Sequence, residues 1–133
     1  QPEYNLAMGQ CFMEQGKIHE AVQYFGNVVR IKPKNSNGWI ELLKCLFYAG
    51  CFEEGLEYVN HAIELTNRKP VFIFYKCAFL LALNKSKEAI IMLELGMELN
   101  PKLIKKLIEL NPAVLQSQLV VDVIARFKRN KSI

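Results

Sequence analysis

The sequence lacks an apolar run of the 18 or so residues that a membrane-spanning helix needs. Its most apolar segment, Val71 to Leu83, is interrupted by Lys76. It also lacks the composition of a disordered chain, because 51% of its 133 residues are hydrophobic and its net charge is only +4. The opening residues have no signal-peptide order, and the initial Gln1 suggests a piece of a longer protein. We therefore expect one globular domain.

Patterns for catalysis and for metal binding are also missing. Cys45 and Cys51 are six residues apart, which is not the short spacing of zinc sites, and His19 and His61 share no helical face. There is no nucleophile triad, phosphate-binding glycine loop or paired acid motif. We expect no catalytic residue, no metal and no cofactor. The four cysteines are expected to be buried free thiols in a reducing compartment, which predicts a cytoplasmic protein.

What the sequence does contain is a repeat with a period of 34 residues. Pro33 and Pro101 are separated by two periods, and Asn67 lies midway between them. Four further series follow the same step: Gly16, Gly50 and Asn84; Glu20, Glu54 and Glu88; Phe12, Leu46 and Leu80; and Phe25, Val59 and Leu93. Because all the series are in register, the period indicates a repeated structural unit.

The residue types in these series predict two helices in each repeat. Glycine and asparagine tolerate a left-handed backbone, so the first series is expected to end helices. Between the breaks, apolar residues recur at helical spacing and show no sustained alternation typical of strands. Ala21, Gly55 and Ala89 place small side chains where a second helix must approach closely. Each repeat is therefore predicted to be a helical pair that buries its apolar faces against its neighbours.

These residues resemble the tetratricopeptide repeat family. Trp39 occupies a bulky position near the start of a repeat, and Met8-Gly9 loosely matches a Leu-Gly pair. The later family positions read Ala21, Phe25, Val28 and Pro33 in repeat one, and Ala89, Leu93, Gly96 and Pro101 in repeat three. The resemblance implies an all-α fold, a right-handed α-solenoid of helix-turn-helix repeats. Its expected parts are repeats at 2–35, 36–69 and 70–103, followed by a C-terminal cap at 104–133.

The sequence after Pro101 departs from this pattern. One short amphipathic helix is predicted to end at Asn111-Pro112, and a second is predicted from about Ala113 to Lys128. We expect these helices to cap the stack. The alternative is that the last helix lies across the inner face and occupies the groove.

In this family the first helix of each repeat lines a concave groove that binds protein segments. The resemblance therefore implies a non-catalytic scaffold or interaction module that binds a peptide or helix through apolar contacts. Met13, Phe47, Tyr48, Phe74 and Leu81 are the expected anchors, and Gln10 and Lys44 are expected to set the polar register. Glu3 and Asn37 are also among the groove positions, and the residues expected to bind a partner are Leu6, Gln10, Met13, Ile40, Lys44, Phe47, Tyr48, Phe74 and Leu81.

The same comparison predicts that this groove does not bind the acidic tails of heat-shock chaperones. Family members that do so present lysine, asparagine and arginine at five positions, and a carboxylate clamp needs such convergent donors. The corresponding residues in this chain are Leu6, Gln10, Glu41, Val71 and Tyr75.

Two other functions are compatible with the sequence. Residues 102–133 contain seven basic and two acidic side chains, whereas residues 1–101 contain ten and eleven. The basic end could contact nucleic acid or another anionic surface through Arg126, Lys128, Arg129 and Lys131. Alternatively, repeat three and the cap could mediate self-association. Nucleic acid is the less expected partner, because Phe127 is the only aromatic residue available there for stacking.

Overall fold

The helical periodicity appears as eight α-helices and no strands within residues 1–131. A computed structural model describes the backbone of these residues and the side chains of residues 1–130. The helices are α1 (Pro2–Glu14), α2 (Ile18–Ile31), α3 (Ser36–Tyr48), α4 (Phe52–Leu65), α5 (Pro70–Ala82), α6 (Ser86–Leu99), α7 (Ile104–Leu110) and α8 (Gln118–Lys131). The first six helices alternate between 13 and 14 residues, as the repeat predicts. The chain divides into two compact units, Gln1–Arg68 and Lys69–Ile133.

The turn within each repeat has the predicted left-handed residue. Gly16, Gly50 and Asn84 have φ values of 76°, 77° and 61°. In each turn the next residue donates its N–H to a carbonyl five residues earlier: Lys17 to Phe12 at 2.8 Å, Cys51 to Leu46 at 2.9 Å, and Lys85 to Leu80 at 2.9 Å. This is the Schellman bond pattern, which pairs carbonyls that the end of a helix leaves without partners.

In the first unit, a tryptophan holds the turn that joins the two repeats. The Trp39 indole N–H donates to the Pro33 carbonyl at 2.7 Å, and the Trp39 side chain is buried. Asn35 caps α3 by accepting the N–H of Asn37 at 2.9 Å. The bulky residue expected near the start of the repeat therefore fixes the entry to α3 as well as filling the core.

Close helix contacts in the first unit depend on glycine. A β-carbon placed on Gly9 of α1 would lie 2.5 Å from the Phe25 ring of α2. On Gly38 of α3, a β-carbon would lie 2.7 Å from the Val28 side chain, also on α2. Phe25 and Val28 are completely buried. Helix α2 therefore packs closely against both first helices of this unit, and α3 packs in turn against α4.

The second unit has a similar contact, but here the aromatic ring is on the first helix of the repeat and the glycine is on the second. Phe74 on α5 is completely buried, and a β-carbon on Gly96 of α6 would lie 2.9 Å from its ring. Helix α7 packs against α5, and α8 packs against α6. Helix α8 thus contacts the second helix of repeat three, and its role as a cap stays a prediction.

The end of the chain differs from the prediction in the start of its last helix. Pro112–Gln116 forms a 3₁₀ turn, in which the Asn111 side chain accepts the Ala113 N–H at 3.2 Å, and α8 begins at Gln118. The buried residues of α8 are Val120 and Val123, whereas Leu119 and Val121 of the same helix are exposed. The predicted start at Ala113 was wrong because the asparagine-capped 3₁₀ turn delays the helix.

The glycine contacts predict opposite effects for two alanine substitutions in the same helical pair. Gly9→Ala should destabilise the protein by about 1–3 kcal/mol, because the rigid Phe25 ring must shift. Gly26→Ala should stabilise it by about 0.5–1 kcal/mol, because this position within α2 has no atom near the added carbon and alanine is the better helix former. Urea unfolding followed by circular dichroism measures both, and equal effects would contradict the proposed contact.

Candidate functional site

An open cleft lies between α1 and α3 in the first unit. Its volume is about 390 Å³, within the range of about 300–1,000 Å³ that is usual for ligand sites. We call it the α1–α3 cleft, and its lining residues are Glu3, Leu6, Ala7, Gln10, Asn37 and Glu41.

The cleft follows from the way α2 packs. Helix α2 lies against both α1 and α3, and α4 lies against another face of α3, which leaves one face of each of α1 and α3 to line the cleft. On α1, Ala7 follows Glu3 by four positions and Gln10 follows Leu6 by four, which places each pair on one side of the helix. The structure thus brings together the predicted groove residues Leu6 and Gln10. Ile40 and Lys44 belong to the same helical face of α3 as Asn37 and Glu41, and both are half-buried.

The rim of the α1–α3 cleft is acidic. Glu3 is exposed beside it, and Glu41 lies on the opposite wall. The ammonium of Lys44 is 3.9 Å from the Glu41 carboxylate, one turn away on α3. Lys44 was expected to set the polar register of a bound segment, but this pair offsets the charges of Lys44 and Glu41 alike, so Glu3 supplies the net negative charge of the rim. A weakly acidic rim of this kind disfavours an acidic ligand.

Two sulfur atoms connect α1 to α3 beyond the lining residues. The Cys45 thiol donates to the Met13 sulfur at 3.1 Å, and Met13 is half-buried. The pKa of Cys45 is raised to about 12, mainly by burial and in part by the nearby Glu41 carboxylate, while Lys44 opposes the shift. Met13 was expected to anchor a bound segment, but its sulfur contacts Cys45 on α3 of the same unit.

The last turn of α3 ends in an aromatic cluster. The Phe47 ring lies 5.1 Å from that of Phe52 on α4 and 6.4 Å from that of Tyr48. Phe47 is half-buried, whereas Tyr48 is 50% exposed. Of the two aromatic anchors that we expected on α3, Tyr48 is therefore the one whose ring is available to a partner.

The expected anchors in the second unit have different environments. Phe74 is completely buried against Gly96, so the expectation of an accessible anchor was wrong at this position. A large side chain on α5 fills the space left by a glycine on α6, which the repeat register alone does not reveal. Leu81 is half-buried.

The basic end is distributed over α8. The Arg126 guanidinium is 3.7 Å from the Glu94 carboxylate of α6, and this ion pair offsets part of the Arg126 charge. Lys128 and Arg129 are exposed. The side chain of Lys131 lies outside the described residues. Binding of an anion at this end, like self-association through repeat three, stays a prediction.

Sequence reasoning missed one residue of the cleft as a groove position. Ala7 lines it, although the family positions point to its neighbour Leu6. The signal that could have found it is helical spacing, because Ala7 follows Glu3 by four residues and precedes Gln10 by three.

Comparison with known proteins agrees with this architecture. Residues 2–35 match the tetratricopeptide repeat, with the boundaries predicted for repeat one. The first tetratricopeptide domain of Spaghetti (RPAP3), bound to the HSP90 peptide SRMEEVD, is 21% identical and has a TM-score of 0.68 over 86% of this chain and 93% of its own. The corresponding domain of Arabidopsis OM64 is 12% identical, with a TM-score of 0.68 over 97% of this chain and 95% of its own.

A third solved structure, that of MamA, is 12% identical and has a TM-score of 0.71 over 99% of this chain and 79% of its own. No curated protein matches the sequence significantly. The resemblance to the tetratricopeptide repeat family is confirmed, and so is the fold class, an all-α solenoid of helical repeats.

Two other features of the described chain bear on function. None of its helices is both long and apolar enough to span a membrane. Among the described side chains, no group of three histidine, cysteine or acidic residues is placed to hold a metal ion.

The cysteines differ in accessibility, which corrects the expectation that all four are buried. Cys11 is exposed and Cys51 is half-buried, while Cys45 and Cys77 are buried, and burial raises the pKa of each buried thiol to about 12. A raised pKa lowers the thiolate fraction at neutral pH, and the thiolate is the reactive form.

We expect iodoacetamide at about pH 7.5 to alkylate Cys11 roughly a hundred times faster than Cys45 or Cys77. Peptide mass mapping of a time course on the native protein measures the three rates. In denaturant the rates should converge, which is the control. Equal rates for Cys11 and Cys45 in the native protein would contradict the buried position of Cys45.

Proposed function

We propose that this protein is an interaction module that binds a peptide or a helix of a partner protein in the α1–α3 cleft. The observation that carries this proposal is the cleft of about 390 Å³, which is open, bounded by two helices and lined by apolar and polar side chains. A cleft of this kind offers an extended segment both apolar contacts and hydrogen-bonding groups that fix its register.

The fold provides a second line of support. One of the similar structures is described as bound to an HSP90 peptide, so a domain of this fold can hold a short peptide. That ligand is acidic, whereas the α1–α3 cleft has Glu3 and Glu41 at its rim. We therefore propose a neutral or basic segment as the ligand of this chain, in keeping with the absence of the clamp cations.

The accessible apolar residues define the proposed contacts. Leu6 lines the cleft, and Ile40 and Tyr48 lie along the same face of α3. Met13 and Phe47 pack mainly within the unit, and they support the cleft walls. Gln10 is exposed on the α1 wall, where its amide can hydrogen-bond a peptide backbone.

A blocking substitution tests whether ligands occupy the cleft. Ala7 is an exposed residue of its lining, so Ala7→Trp should fill the cleft without removing any core contact. Peptides selected from a random phage-displayed library on the wild-type chain should bind this variant at least about tenfold more weakly. Fluorescence anisotropy measures the affinities.

The matched control for the blocking variant is Ala125→Trp, which adds the same side chain at an exposed alanine of α8. We expect its affinity to stay within about twofold of wild type. Selected peptides that bind Ala7→Trp as tightly as they bind the control would show that the α1–α3 cleft is not the binding site.

A pair of tyrosines tests the aromatic contact. Tyr48→Ala should weaken peptide binding about tenfold, because large exposed aromatic residues contribute most to such contacts. Tyr4→Ala is the control, since Tyr4 is 57% exposed and also makes one edge-on contact at 6.4 Å, with Tyr24. Isothermal titration calorimetry with the selected peptides compares the two, and equal losses would remove Tyr48 from the site.

A further inference from the structure

A second cleft lies in the other unit, where the end of α6 and the start of α7 meet α8. Its volume is about 180 Å³. We call it the α8 pocket, and its lining residues are Met97, Pro101, Lys102, Ile104, Ile124, Phe127 and Lys128. None of these residues was assigned to the groove in the sequence analysis, and only Lys128 was assigned to the basic end.

The size of the α8 pocket suits one side chain. An apolar cavity of about 150 Å³ accepts a benzene-sized group, whereas sites for whole drug-sized ligands measure about 300–1,000 Å³. The walls are apolar, with Ile104 on one side and Ile124 and Phe127 on the other. A single leucine- or phenylalanine-sized group would therefore replace solvent against these walls and gain apolar burial.

The charge around the pocket has one sign. Of its seven lining residues, five are apolar, two are lysines and none is acidic. Lys102 is exposed at the rim, one residue after Pro101. Residues 69–133 contain eleven basic and five acidic side chains, so this unit carries a net positive charge. An apolar group that enters here would be favoured if it carried negative charges beside it.

We propose that the α8 pocket binds one bulky apolar side chain of an acidic peptide segment, whose carboxylates lie against the lysine rim. The volume favours a single side chain over a lipid acyl chain. The mostly aliphatic walls favour it over a nucleobase, which would need stacking surfaces. A free anion would gain nothing from the apolar walls. The pocket is thus a second site, opposite in charge preference to the α1–α3 cleft.

The experiment uses the full chain with its isoleucine methyl groups labelled for NMR. The probe is a capped pentapeptide with leucine at its centre and two acidic residues on each side, titrated at physiological salt. Resonances of Ile104 and Ile124 should shift on binding, because both line the pocket, while that of Ile40 in the other unit should not. The same peptide with alanine at its centre should bind at least about tenfold more weakly.

Two substitutions separate the rim from the general charge of the surface. Lys102→Glu and Lys105→Glu change the net charge equally, and both residues are exposed, but only Lys102 lines the pocket. Lys102→Glu should weaken binding of the leucine peptide about fivefold more than Lys105→Glu does. Circular dichroism checks that both variants keep the helical content of wild type.

The proposal is overturned if the leucine and alanine peptides bind equally, since the attraction would then be charge alone. Equal effects of the two lysine variants would overturn it in the same way. It also fails if vesicles of anionic lipid shift Ile104 and Ile124 and the peptides do not. Because the readout residues lie in a different unit from the α1–α3 cleft, failure here leaves the proposed function intact.

Discussion

Close contact between paired helices at glycine is the constraint on which the structure of each unit depends. In the first unit the Phe25 ring of α2 occupies the space beside Gly9 of α1, and in the second the Phe74 ring of α5 occupies the space beside Gly96 of α6. A ring that meets a bare backbone lets the two helices approach to their packing distance while still filling the core. The aromatic residue is on the second helix of the pair in the first unit and on the first helix in the second unit, but both units have the same kind of contact.

This packing also produces the α1–α3 cleft. Because α2 engages one face of α1 and one face of α3, and α4 engages another face of α3, the side chains that line the cleft lie on the faces left over. The binding role proposed for Leu6 and Gln10 thus rests on their position and not on any special chemistry. The second unit shows the converse, since burial of Phe74 converts an expected contact residue into a core residue.

The two clefts differ in the charges at their rims, and this difference has a simple origin in the sequence. Acidic residues predominate in the first unit, where Glu3 and Glu41 border the α1–α3 cleft, whereas Lys102 lies beside the apolar α8 pocket. Charges at a rim act mainly on selectivity and association rate, while the apolar area supplies most of the affinity. A protein with two such sites would sort partner segments by the sign of their charge.

The repeat period, the helical pairs and the left-handed residues at Gly16, Gly50 and Asn84 were determined by the sequence, because each rests on local spacing and on backbone preference. The start of α8 escaped prediction, since the capped turn at Asn111 competes with a helix that the apolar pattern alone allows. Accessibility was decided only by tertiary structure: Ile40 and Phe74 are 34 residues apart and hold the same position in their repeats, but Ile40 is half-buried, whereas Phe74 is completely buried with Gly96 opposite its ring. The α8 pocket was also determined by tertiary structure, because Ile104 and Ile124 of its walls come from separate segments of the chain that meet only in the folded protein.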